Sequence, residues 1–345
     1  MKRAVDMAYP VLATRPVERL LRPLTARTVT VLMLHRVKQG GEGYEAVPVC
    51  FVADCLSRLV ERGYCFVSVA QLLAGEVAAR PGLVCLTADD GYVDQATLLA
   101  EVTVGLGIPL AIFITTGFID GGQINWWDRI SYCLLHSRSP TISVPIPGVP
   151  PILELSDRHH RHRAAQTLQW ALKQLPHDQM DSGLAAIAAA TGVRVPEEPP
   201  DEFRPLSWDQ ARRLEEGGLV SFGPHSVTHP ILSRTRPDQA RTEVAESWAR
   251  VSAELARPLP VFCYPNGEED DFGQREERLV EEEGMRGAFA VDGRPASLDS
   301  FTDAAQAFRL SRVVFPSRRA ELLAAVSGVK HLKERYKKGR RNSAR

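Results

Sequence analysis

Short apolar runs alternate along the chain with longer segments whose apolar positions recur every three or four residues. Residues 29–34 (VTVLML) form an unbroken β-like run that ends at His35. In residues 51–62, Phe51, Cys55, Leu56 and Leu59 fall at helical spacing, and Gly63 supplies the stop. Residues 64–69 and 83–87 read as strands, 92–106 as a helix closed by Gly107, and 110–115 (LAIFIT) as a further strand. Beyond position 205 the rhythm resumes. It predicts helices over 208–216, 238–256 and 274–283, strands over 219–223, 260–264, 288–291 and 309–315, and a closing basic helix. Strands and helices in alternation imply a mostly parallel sheet with helices outside it.

Between positions 126 and 204 the alternation stops. The segment looks helical, with proline-rich pieces at 144–152 and 196–205, and reads as an insertion between two core strands. The partition that follows is an N-terminal extension over 1–28, a core over 29–315 interrupted by the insert at about 126–204, and a basic helix and tail over 316–345.

Composition narrows the class. Hydrophobic content of 44% and charge of 24% are those of an ordinary globular chain, and the 345 residues can enclose a large core. Net charge is zero, so no global field points to nucleic acid, and no nucleic-acid partner is expected. The six cysteines include no C-x-x-C pair, and several lie inside apolar runs, as free thiols in a reducing compartment do. The N-terminus has charges where a signal peptide needs an apolar core, and no run approaches ~20 apolar residues; a cytoplasmic location is expected. The last fifteen residues carry seven Lys or Arg and one acid, a solvated tail with scope for peripheral contact with anionic headgroups.

The chemistry concentrates at strand ends. LTADDGY (86–92) ends a buried strand on two adjacent carboxylates, Asp89 and Asp90. GPHSVTHP (223–230) follows another strand and carries His225 and His229 four apart; on one turn of helix that spacing turns both imidazoles to one side. Two histidines and one carboxylate suit zinc or a similar divalent ion with an open position for water. The second carboxylate is then free to take a proton from that water. His35 closes a third strand on the same edge, the edge that carries chemistry in parallel α/β folds.

LTADDGY, HSVTHP and FCYPNG (262–267), in that order, resemble the successive motifs of the polysaccharide deacetylase family, carbohydrate esterase family 4 or the NodB-homology domain. The resemblance covers roughly residues 29–125 and 205–315. It implies a distorted (β/α)7 TIM-like barrel with a helical insertion, and metal-dependent removal of acetyl groups from sugars. It also implies Asp89 as general base, Asp90, His225 and His229 as metal ligands, and a backbone N–H near Asn266 in the oxyanion hole. Three positions depart from the pattern: Ala88 replaces a common Phe, Cys263 replaces an Arg that holds the base, and no late Leu-x-His supplies the acid. Arg309 or Arg312, on RLSRVVF, are candidates to hold the base. LMLHRV (32–37) resembles the circularly permuted branch, in which the acid histidine comes from the first strand, so His35 takes that role.

Tyr92, Tyr264, Trp126 and Trp127 are candidate substrate contacts. His159, His160 and His162, in DRHHRHR, read as a solvated helix face, while His136 and His177 have no ligand-like companions. The expected activity is hydrolysis of N-acetyl groups on an acetylated glycan or on a lipid- or nucleotide-linked sugar, with a divalent metal, zinc first, as cofactor. Two alternatives stay open: an idle sugar-binding barrel, motivated by Cys263, and a hydrolase of non-peptide C–N bonds in a small metabolite.

Overall fold

The computed structural model describes residues 14–40, 46–121, 124–176 and 179–329. Seven strands form its frame: β1 Thr28–Leu34, β2 Leu83–Asp90, β3 Leu110–Ile114, β4 Val220–Pro224, β5 Val261–Cys263, β6 Gly287–Val291 and β7 Leu310–Val314. Their order is β5-β6-β7-β1-β2-β3-β4, with every neighbouring pair parallel. Two short strands add to it: Cys65–Phe66 beside β2 and Ala296–Ser297, antiparallel, beside β1. The end strands β4 and β5 meet without a ladder, through Leu259 N–H donating to the Phe222 carbonyl at 2.7 Å. The sheet is therefore a nearly closed barrel with one loose seam.

Period-two alternation divides each strand between two cores. Val29, Val31, Leu83, Cys85, Phe113, Val261, Cys263, Phe289 and Leu310 fill the barrel. Leu32, Leu34, Val84, Leu86, Ala88, Ile112, Val220, Phe222 and Val313 face the outer helices, among them Val49–Glu61, which contributes Val52, Leu56 and Leu59. Strands apolar on both faces are the mark of a covered parallel sheet. The alternation also carries the site: the inward series Leu83, Cys85, Thr87 on β2 continues to Asp89, and Leu310 on β7 continues to Arg312.

Two elements differ from the sequence expectation. The strand expected over 64–69 shrinks to Cys65–Phe66, because Ser68 caps the helix Val69–Leu73: its hydroxyl accepts from Gln71 N–H while the Gln71 side chain accepts from Ser68 N–H. The helix expected from 92 opens with a π turn, Gln95–Leu99, before Ala100–Gly105. Gln95 is fully buried and its amide donates to the carbonyls of His35 (2.5 Å) and Asp89, tying the ends of β1 and β2 together.

The insert carries three α-helices among its described residues, α1 Trp126–His136, α2 Arg158–Lys173 and α3 Met180–Thr191, with a hairpin of Thr141–Ile142 and Leu153–Glu154. It has its own core, with Ile130, Cys133, Leu134, Leu168, Leu172, Leu184 and Ile187 at its centre. The 331–345 tail proposed for headgroup contact, with His331, and His177 lie outside the described residues. Among the described residues no helix is long and apolar enough to cross a membrane.

The seam makes a prediction. A Cβ at Gly223 would lie 2.8 Å from the Phe113 ring and 3.0 Å from the Val261 carbonyl. Gly223→Ala should therefore overpack the seam and cost about 1–3 kcal/mol, read as a lower urea midpoint at unchanged slope.

Candidate active site

Asp89 and Asp90 are neighbours in sequence and neither is solvated, at 1% and 2% exposure. Their environments differ because strand alternation sends them apart. Asp89 points into the barrel, where Arg312 grips both its oxygens, Nη1 to Oδ1 at 2.7 Å and Nη2 to Oδ2 at 2.8 Å. The guanidinium also reaches Thr87 Oγ1 at 3.3 Å and Cys263 Sγ at 2.8 Å. It rests over the rings of Phe113 and Phe289, at 5.9 and 5.5 Å from their centroids. Burial by itself would raise the Asp89 pKa; the Arg312 charge, with lesser help from His225, overrides it and holds the carboxyl well below its ordinary range. Arg309 is not part of this arrangement. It lies on the exterior, paired with Glu277.

Asp90 leaves the strand in a left-handed conformation, φ +83°, followed by Gly91 at φ +88°. That turn returns its carboxylate to the barrel mouth, where Oδ1 lies 3.6 Å from Nε2 of both His225 and His229. No hydrogen bond reaches Oδ1 among the described residues. The three ligand atoms lie within 4.8 Å of one another. Donors bound at ~2.0–2.2 Å around a tetrahedral ion stand roughly 3.3–3.6 Å apart, so the spacing fits a metal better than a direct contact. His225 Nδ1 sits 2.7 Å from the Cys263 carbonyl, an acceptor that calls for N–H at Nδ1 and leaves the Nε2 lone pair to the site. Burial pushes His225 down to about 4 and His229 well below its ordinary value, so both imidazoles are neutral donors at pH 7. Burial, with Asp89 and Asp128 nearby, pushes Asp90 up, the penalty a cation at this point would relieve. Asp89, His225 and Cys263 also cluster, but Arg312 occupies both Asp89 oxygens.

The histidines are not on a turn of helix, as their spacing suggests. Residues 225–231 are a loop, because Ser226 (φ +65°) and His229 (φ +57°) take left-handed conformations that no α-helix admits. Glu243, from helix Pro237–Glu254, holds the loop by accepting from Val227 N–H and Thr228 N–H, each at 2.8 Å, and from the Thr228 hydroxyl at 2.5 Å. Ser226 Oγ accepts from His229 N–H at 3.0 Å. Among the described residues, the non-glycine positions with positive φ are Asp90, Ser226, His229 and Asn266, all at this mouth. Strain of this kind persists only where surrounding contacts enforce it.

A cleft of about 490 Å³ opens above, lined by His35, Asp90, Trp126, Trp127, His229 and Asn266 from the mouth, and by α1 and α2 from the insert. His35 stands exposed on its wall. Partial loss of water lowers its pKa, Arg312 and Lys173 adding to the effect and Asp89 opposing it. Asn266 follows β5 at φ +58°. Trp127 packs on His229 at 4.5 Å between ring centroids and donates from Nε1 to Tyr92 Oη at 2.8 Å. Tyr92 is fully buried and stands behind the wall rather than in it, donating to Asp128 and lying under the Arg36 guanidinium. Tyr264 is also buried away from the cleft, stacked on Phe272 at 4.0 Å with its hydroxyl donating to the Phe308 carbonyl. Neither tyrosine is placed to touch a substrate. The sequence reading passed over Gln95, Glu243, Arg36 and the cleft face of α2, and DRHHRHR was the one signal that pointed there. His162 from that run lines the cleft instead of facing bulk solvent.

A buried Asp/His/His group at a barrel mouth, with a paired carboxylate beneath, is a donor set that could hold a divalent ion. The comparisons with known proteins are more specific. The family model for polysaccharide deacetylases matches residues 165–285, which include both histidines and FCYPNG but not Asp89 and Asp90. Among solved structures, the Streptococcus pyogenes deacetylase PplD in complex with acetate is similar, with 15% identity, TM-score 0.56, and 87% of this chain and 98% of that chain covered. IcaB from Ammonifex degensii is similar at 17% identity and TM-score 0.55, covering 88% and 97%. A de-N-acetylase from Aggregatibacter actinomycetemcomitans is similar at 14% and 0.52, covering 88% and 98%. No curated protein matches the sequence. The chain shares its fold with these solved structures, and residues 165–285 match the family model for polysaccharide deacetylases.

Two predictions follow from the geometry. Arg312→Met leaves a buried charge on Asp89 and should cost about 3–5 kcal/mol in urea denaturation. Because the folded pKa of Asp89 lies below the unfolded 3.8, its contribution is complete above that value and is lost as pH falls below it; Asp89→Asn should flatten this acid limb. Second, the wild type should bind one divalent ion in calorimetric titration, with Asp90→Asn and His229→Ala each weakening it by at least about a hundredfold and Asp89→Asn leaving the stoichiometry unchanged.

Proposed function

We propose that this chain is a metal-dependent carbohydrate de-N-acetylase, with zinc as the preferred ion. The observation that carries the reading is the placement of Asp90, His225 and His229 at the mouth of a deacetylase-type barrel, with Asp89 directly beneath and His35 on the wall of the same cleft. Asp90, His225 and His229 would hold the ion. Bound there, it supplies positive charge that polarises an acetamide carbonyl and makes a nearby water more acidic. Asp89, kept ionised by Arg312, accepts the proton of the attacking water. Arg312, on both Asp89 oxygens, would take the part of the arginine that the resemblance implies at position 263, which supports the enzyme reading over an idle barrel. The backbone N–H near Asn266 steadies the oxyanion as water oxygen adds to the acyl carbon. The C–N bond then breaks, the sugar nitrogen takes a proton from His35, and acetate and a free amino sugar leave.

His35 acts from β1, the first strand, in the manner of the circularly permuted branch. Trp126 and Trp127 offer faces for a sugar ring. The substrate is an acetylated glycan or a lipid- or nucleotide-linked sugar, met in the cytoplasm; the six cysteines, all free, accord with a reducing compartment.

The deciding experiment is acetate release from N-acetylated glycans, lipid-linked sugars and nucleotide sugars by the metal-loaded protein. Asp89→Asn and His35→Ala should each lower kcat by about 10²–10⁴-fold while still binding metal. Metal and sugar binding with no acetate from any substrate would return the idle-barrel reading, and ammonia in place of acetate the small-metabolite one.

A further inference from the structure

We propose that the face of α2 turned to the cleft is a phosphate subsite, and that the sugar reaches the barrel mouth as a phosphate-linked rather than a neutral glycan. The inference deepens the deacetylase reading and rests on it for the reaction, but not for binding. On α2, Arg158, His162, Gln166, Gln169 and Lys173 recur at helical spacing and line the same cleft as His35, Asp90 and His229. The opposite face of the helix, Ala164, Leu168, Ala171 and Leu172, is locked in the core of the insert, so the polar face is fixed in its aim.

Most charge in the cleft is already committed. Arg36 pairs with Asp94 and approaches Asp128, and Arg161 donates to the carbonyls of Leu134 and Ser137. Asp90 belongs to the cation site. Lys173 is half-buried and makes no ion pair among the described residues; Asp271 and Glu268 stand near it, but Asp271 Oδ2 accepts from Glu268 N–H. Lys173 lines the same cleft as His35 and His229. A half-buried lysine that holds no carboxylate within ion-pair distance keeps its ammonium available to a ligand anion. Arg158, also without an ion pair among the described residues, stands at the far end of the helix, roughly 22 Å away at 1.5 Å per residue. Lys173 takes the phosphate next to the sugar; a nucleotide or polyprenyl carrier keeps its phosphates adjacent to one another, so Arg158 lies beyond their reach.

The test is calorimetric binding to the metal-loaded full chain, which needs no turnover. The probes are N-acetylglucosamine 1-phosphate, its neutral methyl glycoside and N-acetylmuramic acid. Lys173→Gln is compared with Arg163→Gln, an equal charge change at an exposed position of α2 that is not part of the cleft lining. The wild type should favour the phosphate over the neutral sugar by about tenfold or more; Lys173→Gln should abolish that advantage and Arg163→Gln should keep it. Equal binding of phosphate and neutral sugars, tighter binding of the carboxylate sugar, or an advantage that survives Lys173→Gln would each overturn the subsite. Phosphate preference without acetate release would leave the subsite standing and remove the deacetylase reading. Given turnover, comparing kcat/KM for a nucleotide-linked sugar and a polyprenyl-diphosphate-linked sugar in micelles tells the two phosphate sources apart.

Discussion

One ion pair organises the mouth of this barrel. Arg312 and Asp89 meet inside it at 2.7 and 2.8 Å, with 1% exposure for the arginine. Desolvating two charges is expensive, and a hydrophobic pair of the same size would often be as stable. The pair is tolerated because both carboxylate oxygens are satisfied and the guanidinium has Thr87, Cys263 and two aromatic faces around it. What the chain gains is a carboxylate that stays ionised and fixed in direction directly beneath the histidine pair. That is a functional return, and it limits everything nearby: β2 and β7 must keep their register across β1 for the two side chains to meet at all.

A second constraint sits on top of the first. Asp90 would point outward if β2 stayed extended. Its left-handed backbone brings it back, and three further strained residues at the same mouth aim the histidines and Asn266. The stabilising contacts come from outside the site. Glu243 holds the histidine loop from a neighbouring helix, the Cys263 carbonyl orients His225, and Gln95 ties the ends of β1 and β2. Position 263 serves the site through two atoms: its thiol touches Arg312 and its carbonyl lies 2.7 Å from His225 Nδ1.

The insert turns a shallow barrel mouth into a cleft. α1 brings Trp126, Trp127 and Asp128 to the rim, and burial pushes Asp128 up to about 6 even with Arg36 and Tyr92 against it. α2 closes the far side with a polar face. The barrel thus carries the Asp/His/His group, while the insert supplies much of the cleft wall above it.

Much of this was legible in the chain itself. Period-two and period-3.6 patterning located the seven strands and most of the helices, since burial of apolar faces is a local property of the residues concerned. The motifs LTADDGY, HSVTHP and FCYPNG pointed to Asp89, Asp90, His225 and His229, which lie together at one barrel mouth. Arg309 and Arg312 could not be told apart by sequence, and the buried Tyr92 and Tyr264 looked like substrate contacts. Strand parity and distance decide such matters: Arg312 points inward and Arg309 does not. The four-residue spacing of His225 and His229 suggested a helix, and only the tertiary contacts of Glu243 and Ser226 made it a strained loop. DRHHRHR read as a solvated face until the packing of the insert turned one side of α2 towards the barrel. Sequence determined which groups were available and which strands carried them. Tertiary structure decided which groups met, because contacts between residues more than two hundred positions apart depend on register and closure, and neither is written in any local stretch.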